Sequence, residues 1–268
     1  MTDSILYKSL FIIILTGIQC GIIGVFIFLL NIPFIGVTLS HSAMAGGIWG
    51  MILGLPSRVM ALGFSLLSSL FIPPLSEKSR ISPNIAISIL FSFVLGIAFL
   101  GMGLLPQKGV ILDLLWGNIL LVDSLDIIFL IFLLFALGVF IAAFFKELVA
   151  ILFNREIAAS LGINDRLFFY VLLFFVGAVI TVNLNIIGGL LLFSLIIIPP
   201  SIAYQITYDI KKFIFLSSFF ASLGGAGGVI FSFTFNWPVS ATVAIFLSFI
   251  LLIVYLISPK RRVYAKVD

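Results

Sequence analysis

One side chain in this sequence joins the chemistry of a transition-metal ligand to an unusual position. His41 is the only histidine among 268 residues, and it lies in an uncharged apolar run between Pro33 and Pro56. A neutral imidazole offers a nitrogen lone pair to a divalent ion, or a site for proton transfer. An ionisable residue at membrane depth is a functional candidate by default; its competing role is a polar hydrogen bond to a neighbouring helix. Cys20 is the sole cysteine, so an internal disulfide is excluded, and its small side chain reads first as packing in an apolar helix.

The residues needed for other chemistries are absent. No Asp, Glu, Lys or Arg falls in the middle of any long apolar run, whereas proton-coupled carriers and pumps keep buried ionisable groups as their coupling element. The chain has no P-loop, so it does not bind ATP through a Walker motif of its own. It also lacks a zinc-protease His-Glu-x-x-His and a Gly-x-Ser-x-Gly elbow, which argues against an intramembrane enzyme.

The elements that must position His41 follow from composition. Hydrophobic residues make up 63% of the chain and charged residues 9%, against roughly a quarter charged in soluble proteins. Crossing roughly 30 Å of hydrocarbon takes about 20 apolar residues. Runs of that kind cover 9–30, 33–55, 58–75, 84–103, 126–145, 167–182, 186–204, 213–234 and 238–257. They are continuous and not alternating, which predicts an all-α polytopic membrane bundle of about nine spans in a single domain, 1–268. The count falls to eight if the stretch near Asn31 and Pro33 is a re-entrant break instead of a turn. The first run lacks a basic n-region and a small-residue cleavage site and reads as a retained helix.

Basic residues orient the bundle. A cytoplasmic C-terminus with nine crossings puts Lys78, Arg80, Lys146, Arg155, Arg166, Lys211, Lys212, Lys260, Arg261, Arg262 and Lys266 inside. Only Lys8, Arg58 and Lys108 then lie outside, as the positive-inside rule favours. The net charge of +4 is a topology signal, and nothing in the chain points to nucleic acid.

Within the second run, Gly36, Ser40, Ala43, Gly47, Gly50 and Gly54 recur at alternating steps of four and three. That spacing places them on one helix stripe, where small residues let another backbone approach. His41 lies about 100° around from Ser40, at the border of the stripe. Between spans, Lys146 to Arg166 alternates charges with short apolar pieces. Asn154 is placed to N-cap a helix from Arg155 to Leu161 that Gly162 stops. This connector is either an ordinary solvated loop or a docking element for a soluble partner. Asn183 and Asn185 read as an outer turn between two spans, with Pro199 and Pro200 kinking or ending the next. The outer segment from Val110 to Asp126, with Asp113 and Asp123, reads as a surface helix that meets a partner or gates a path.

Five segments in register resemble the permease subunit of the zinc and manganese ABC-transporter family. They are GVTLSHSAMAGGIWG from Gly36, LWGNIL from Leu115, FNREIAASLGI from Phe153, IGGLLLFSLIIIPPSIA from Ile187 and NWPVSATVAI from Asn236. The resemblance implies a homodimer around a central path, a cytoplasmic ABC ATPase dimer and an extracellular metal-binding protein. The ATPase would dock on the helix carrying Asn154, Arg155, Glu156, Ala158 and Gly162. No cofactor is bound permanently; the transported divalent metal ion is cargo, and ATP acts only through the partner. The family pattern G-D-x-L-S-H places a metal-contacting Asp where this chain has Val37, and its His at His41. Two copies of His41 would then offer two imidazoles, with Ser40, Met44, Thr38 or water as further donors. An iron-chelate or cobalamin permease and a stand-alone secondary carrier are the alternatives.

Overall fold

The computed structural model describes residues 2–104 and 122–258. The LWGNIL segment, Lys108, Asp113 and the basic tail from Lys260 lie outside the described residues. Every regular element described is an α-helix: α1 (Thr2–Leu29), α2 (Ile35–Leu53), α3 (Ser57–Lys78), α4 (Pro83–Leu104), α5 (Ser124–Ala143), α6 (Phe145–Phe153), α7 (Arg155–Ser160), α8 (Asp165–Ile187), α9 (Gly189–Ile206), α10 (Ile210–Phe235) and α11 (Val239–Ile257). Among the described residues, eight helices are long and apolar enough to cross a membrane: α1, α3, α4, α5 and α8 to α11. The remaining predicted span is α2, 19 residues long, whose serines, glycines and His41 dilute its hydropathy. It packs against α3, α4, α8 and α9, and a helix covered by protein on most sides has no need to match lipid along its whole surface.

The stretch near Asn31 is a turn and not a continuous break within one helix. Asn31 takes a left-handed conformation (φ 55°), tolerated by asparagine better than by most residues, and Asn84 donates to its carbonyl at 2.7 Å. Gly54, also left-handed at φ 67°, stops α2 and returns its N–H to the Met51 carbonyl.

Asn183 and Asn185 do not form the outer turn expected of them. Both lie inside α8, because their side-chain amides bond back to the carbonyls of Val179 (2.8 Å) and Thr181 (3.2 Å). The turn falls at Gly188, φ 79°. Pro199 and Pro200 do not end α9 either; the helix runs on to Ile206. Pro200 has no N–H for the Ile196 carbonyl, and that oxygen lies against Gly24 of α1, where a Cβ would not fit. The α1–α9 contact thus accommodates the interrupted ladder.

The helices form two groups. One comprises α1, α9, α10 and α11, and the other α2, α3 and α4; α8 packs on both, with α5 against α8 and α1. Small residues set the close approaches. Gly17 and Gly21 of α1 meet Ser222 and Ser218 of α10, while Gly224 and Gly228 of α10 meet Leu247 and Val243 of α11. The glycines of α10 are therefore packing positions.

Polar contacts define the two ends of the bundle. At one end Arg58 pairs with Asp123 and Asp126 at 3.6 and 3.2 Å, and Lys8 donates to the Val122 carbonyl. At the other, Arg166 pairs with Glu77 at 3.4 Å and the Ser258 hydroxyl bonds the Gln205 side chain at 2.9 Å. The starts of α1, α3 and α5 thus share one end, and the close of α11 lies at the opposite end, as helices that alternate in direction along the chain require.

Candidate metal-contact site

His41 projects from α2, which is clamped by its neighbours on the other side. The Ser42 hydroxyl bonds Ser68 at 2.6 Å and the Phe64 carbonyl at 2.9 Å, and Trp49 donates to the Ile97 carbonyl at 3.1 Å. Gly46 lies against the Met60 backbone and Gly50 against Ser57. With those faces covered by α3 and α4, the side carrying Val37, Ser40 and His41 is left half-buried.

The imidazole is oriented by its own helix. His41 Nδ1 lies 2.9 Å from the Val37 carbonyl. A carbonyl only accepts, so Nδ1 is the donor in this contact, and the tautomer that makes it has its lone pair on Nε2. Metal-binding histidines are typically oriented in this way, one nitrogen donating to a carbonyl while the other ligates. The ring also stands edge-on to Phe91 of α4, centroids 5.3 Å apart and planes at 82°, and Phe91 in turn meets Phe34 at 5.0 Å. Asn84, Ser88 and Ser92 line a groove of about 380 Å³ along α4.

The other proposed donors divide. Ser40 is half-buried beside His41, its hydroxyl donating to the Gly36 carbonyl at 2.8 Å, which leaves oxygen lone pairs. Thr38 is fully buried and donates to the Phe34 carbonyl; Met44 is buried among apolar side chains. Neither shares the accessible face. Among the described residues no group of three His, Cys, Asp or Glu is placed to hold a metal ion, so one chain presents a single imidazole.

The small-residue stripe also divides. Gly36 meets Phe193 of α9, Ala43 and Gly47 are buried, and Gly50 touches α3, whereas Gly54 is the helix stop with nothing within 4 Å of a notional Cβ. Gly46, off the stripe, makes the closest backbone approach of the α2 glycines; its small-xxx-small spacing with Gly50 is the signal that marks it.

The connector folds as its capping residues dictate. Asn154 Oδ1 accepts from the Ile157 N–H at 3.1 Å. At the other end Gly162, φ 80°, lets Ile163 bond back to the Ala158 carbonyl at 3.1 Å. Helix α7 ends at Ser160, one residue before the expected Leu161. Ala158 faces inward, fully buried, while Phe153, Ile157 and Leu161 are 85, 50 and 70% exposed. Ile157 and Leu161, four apart, lie along one side of α7 and the turn that closes it, while Phe153 ends α6 before the extended Asn154, an apolar exposure the charge pattern alone did not show.

Residues 2–258 match the sequence profile of the ABC 3 transport family. The chain belongs to that family. It is accordingly a multi-pass membrane permease and not an enzyme, and ABC 3 membership implies separate ATPase and substrate-binding partners. It resembles the manganese transport system membrane protein MntC of Listeria monocytogenes, 30% identical over 263 residues that cover 97% of this chain and 93% of that protein. It also resembles the manganese import system permease protein ScaB of Streptococcus gordonii, 27% identical over 257 residues, covering 96% and 92%. The solved PsaBC from Streptococcus pneumoniae, in complex with Fab, superposes with a TM-score of 0.85 at 27% identity, covering 98% of this chain and 95% of that one. Membership sets aside the stand-alone carrier.

Proposed function

We propose that this chain is the membrane permease of an importer for a divalent transition metal, and that His41 meets the ion in transit. The observation that supports this is the His41–Val37 hydrogen bond, which engages Nδ1 and leaves Nε2 free to meet an ion on the half-buried face of α2. The names of the relatives MntC and ScaB support manganese as cargo. One specific feature favours zinc as the second reading: Val37 supplies no carboxylate, and a site of imidazoles suits zinc better than the oxygen-preferring manganese.

One imidazole per chain is too few ligands for selective binding, which supports a homodimer with two copies of His41 across a shared path, Ser40 and water completing the shell. Thr38 and Met44 are not retained as donors. The segment 154–162 is the ATPase-docking element of a single permease domain, its apolar side turned to the partner. No cofactor is resident, and ATP is used only on the ATPase chains. The basic-residue distribution supports a cytoplasmic C-terminus in the cell membrane, with an extracellular metal-binding protein delivering the ion to the opposite side.

The test is co-purification with the ATPase followed by hydrolysis assays over a panel of divalent ions, with and without the binding protein. Stimulation by manganese or zinc is expected; stimulation only by an iron chelate or cobalamin would replace the cargo assignment.

A further inference from the structure

The surface of α4 changes character around its circumference. Phe91 is the α4 residue whose ring meets His41. Proceeding around the helix from it, Asn84, Ser88 and Ser92 lie at about 20°, 60° and 100°, and Ile85 and Ile89 at about 120° and 160°. On the other side of Phe91, Leu90 and Val94 are buried and share a groove with Phe64 and Leu67 of α3. A polar row at steps of four therefore borders the His41 contact, and an apolar row lies beyond it.

The row reaches membrane depth beside α2. The two helices run parallel: Asn84, in the first turn of α4, donates to the Asn31 carbonyl just before α2, and the Ile97 carbonyl accepts from Trp49 toward the end of α2. Ser92 lies about 14 Å along a helix that starts at Pro83 and is long enough to cross a bilayer. Ser88 and Ser92 are both exposed. Their hydroxyls donate to the carbonyls four residues back, at 2.9 and 3.2 Å, so each presents oxygen lone pairs outward. Polar side chains at that depth typically face protein or a water-filled cavity and not lipid tails.

We infer that Ser88 and Ser92 form a second wall of the ion's path, meeting the metal or its hydration shell from α4 as His41 meets it from α2. This rests on the metal path running past His41. Neutral hydroxyls suit an ion in transit, because they stand in for water without the hold of a carboxylate. They also supply on α4 the oxygen character that Val37 does not supply on α2. Oxygen donors favour manganese more than zinc, so the two serines bear on which ion passes.

Labelling and transport test it together. In a Cys20→Ala background, the assembled permease and ATPase in lipid nanodiscs carry Ser88→Cys, Ser92→Cys or Ile89→Cys and meet a small charged thiosulfonate. Ser88→Cys and Ser92→Cys should react at least about tenfold faster than Ile89→Cys, which lies at similar depth on the apolar row, since the reactive thiolate forms in water and not in lipid. In proteoliposomes the Ser88→Ala/Ser92→Ala pair should lose about tenfold or more in Mn²⁺ uptake at matched assembly, and less in Zn²⁺ uptake. The Ser88→Thr/Ser92→Thr pair, which keeps the hydroxyls, should retain most of the Mn²⁺ uptake. Equal labelling of the three cysteines, or Mn²⁺ uptake at the original rate by the alanine pair, overturns the second wall. Failure of the His41 reading shows separately, as normal uptake by His41→Ala with the labelling contrast intact.

Discussion

At the scale of the residue, His41 and Val37 carry the proposal. The Val37 carbonyl orients the imidazole through Nδ1, while its side chain occupies the place where the family pattern has a carboxylate. Val37→Asp therefore adds an oxygen donor one helical turn from His41, on the same face. A carboxylate in the membrane costs roughly 2.5–3.5 kcal/mol unless an ion or water meets it. The variant should be less stable than the original without metal and should gain more thermal stability from added Mn²⁺ or Zn²⁺. Equal metal response in the two folded forms would show that this face does not line the metal path. His41 was legible in the sequence as the lone imidazole of an uncharged run, but the nitrogen it leaves free was not, since that depends on ring orientation. Thr38 and Met44 were beyond sequence reasoning for a related reason: the helical period places them on α2, and only tertiary packing shows which sides α3, α4 and α9 cover.

At the scale of the element, two helices make separable predictions. Along α7 and the turn that closes it the apolar residues Ile157 and Leu161 are turned outward while Ala158 is buried. Leu161→Asp should weaken co-purification with the ATPase by tenfold or more on the order of the ~1.4 kcal/mol that a buried apolar contact supplies, leaving the permease folded. Ala158→Pro acts differently. It removes the N–H that bonds the Asn154 carbonyl at 3.0 Å, at a cost of about 3 kcal/mol in a helix interior, and should separate the subunits by unfolding the element itself. Full complex formation by both variants would exclude this surface from docking. On α2, Gly46→Val has no room beside the Met60 backbone and should lower the melting temperature, overpacking costing about 1–3 kcal/mol; a neutral effect would mean that α3 can yield. Caps were readable because Asn154 and Gly162 act locally. The path of α8 and α9 was not, because side-chain amides of Asn183 and Asn185 keep a helix going where polarity alone suggests a turn, and because Gly24, distant in sequence, accommodates the carbonyl that Pro200 leaves free.

At the scale of the whole molecule, the apolar runs fixed nearly everything about the architecture, since length and hydropathy leave only helices in a bilayer. What they could not convey is that α2 is covered by protein on most sides and that α8 joins two groups of helices, both consequences of long-range packing. The end contacts, Arg58 with Asp126 and Arg166 with Glu77, give a polarity that labelling can check. In a Cys20→Ala background, Leu125→Cys should react with a membrane-impermeant maleimide from outside the cell and Leu161→Cys only from the cytoplasm; the reverse pattern would invert the topology. The central claim is that the metal passes His41. Its most direct measurement is ATP-driven uptake of Mn²⁺ and Zn²⁺ into proteoliposomes holding the assembled permease and ATPase, with His41→Ala compared to the unaltered chain at matched assembly. The expected result is loss of metal uptake with the complex intact and basal ATP hydrolysis preserved, whereas uptake at the original rate would contradict the claim.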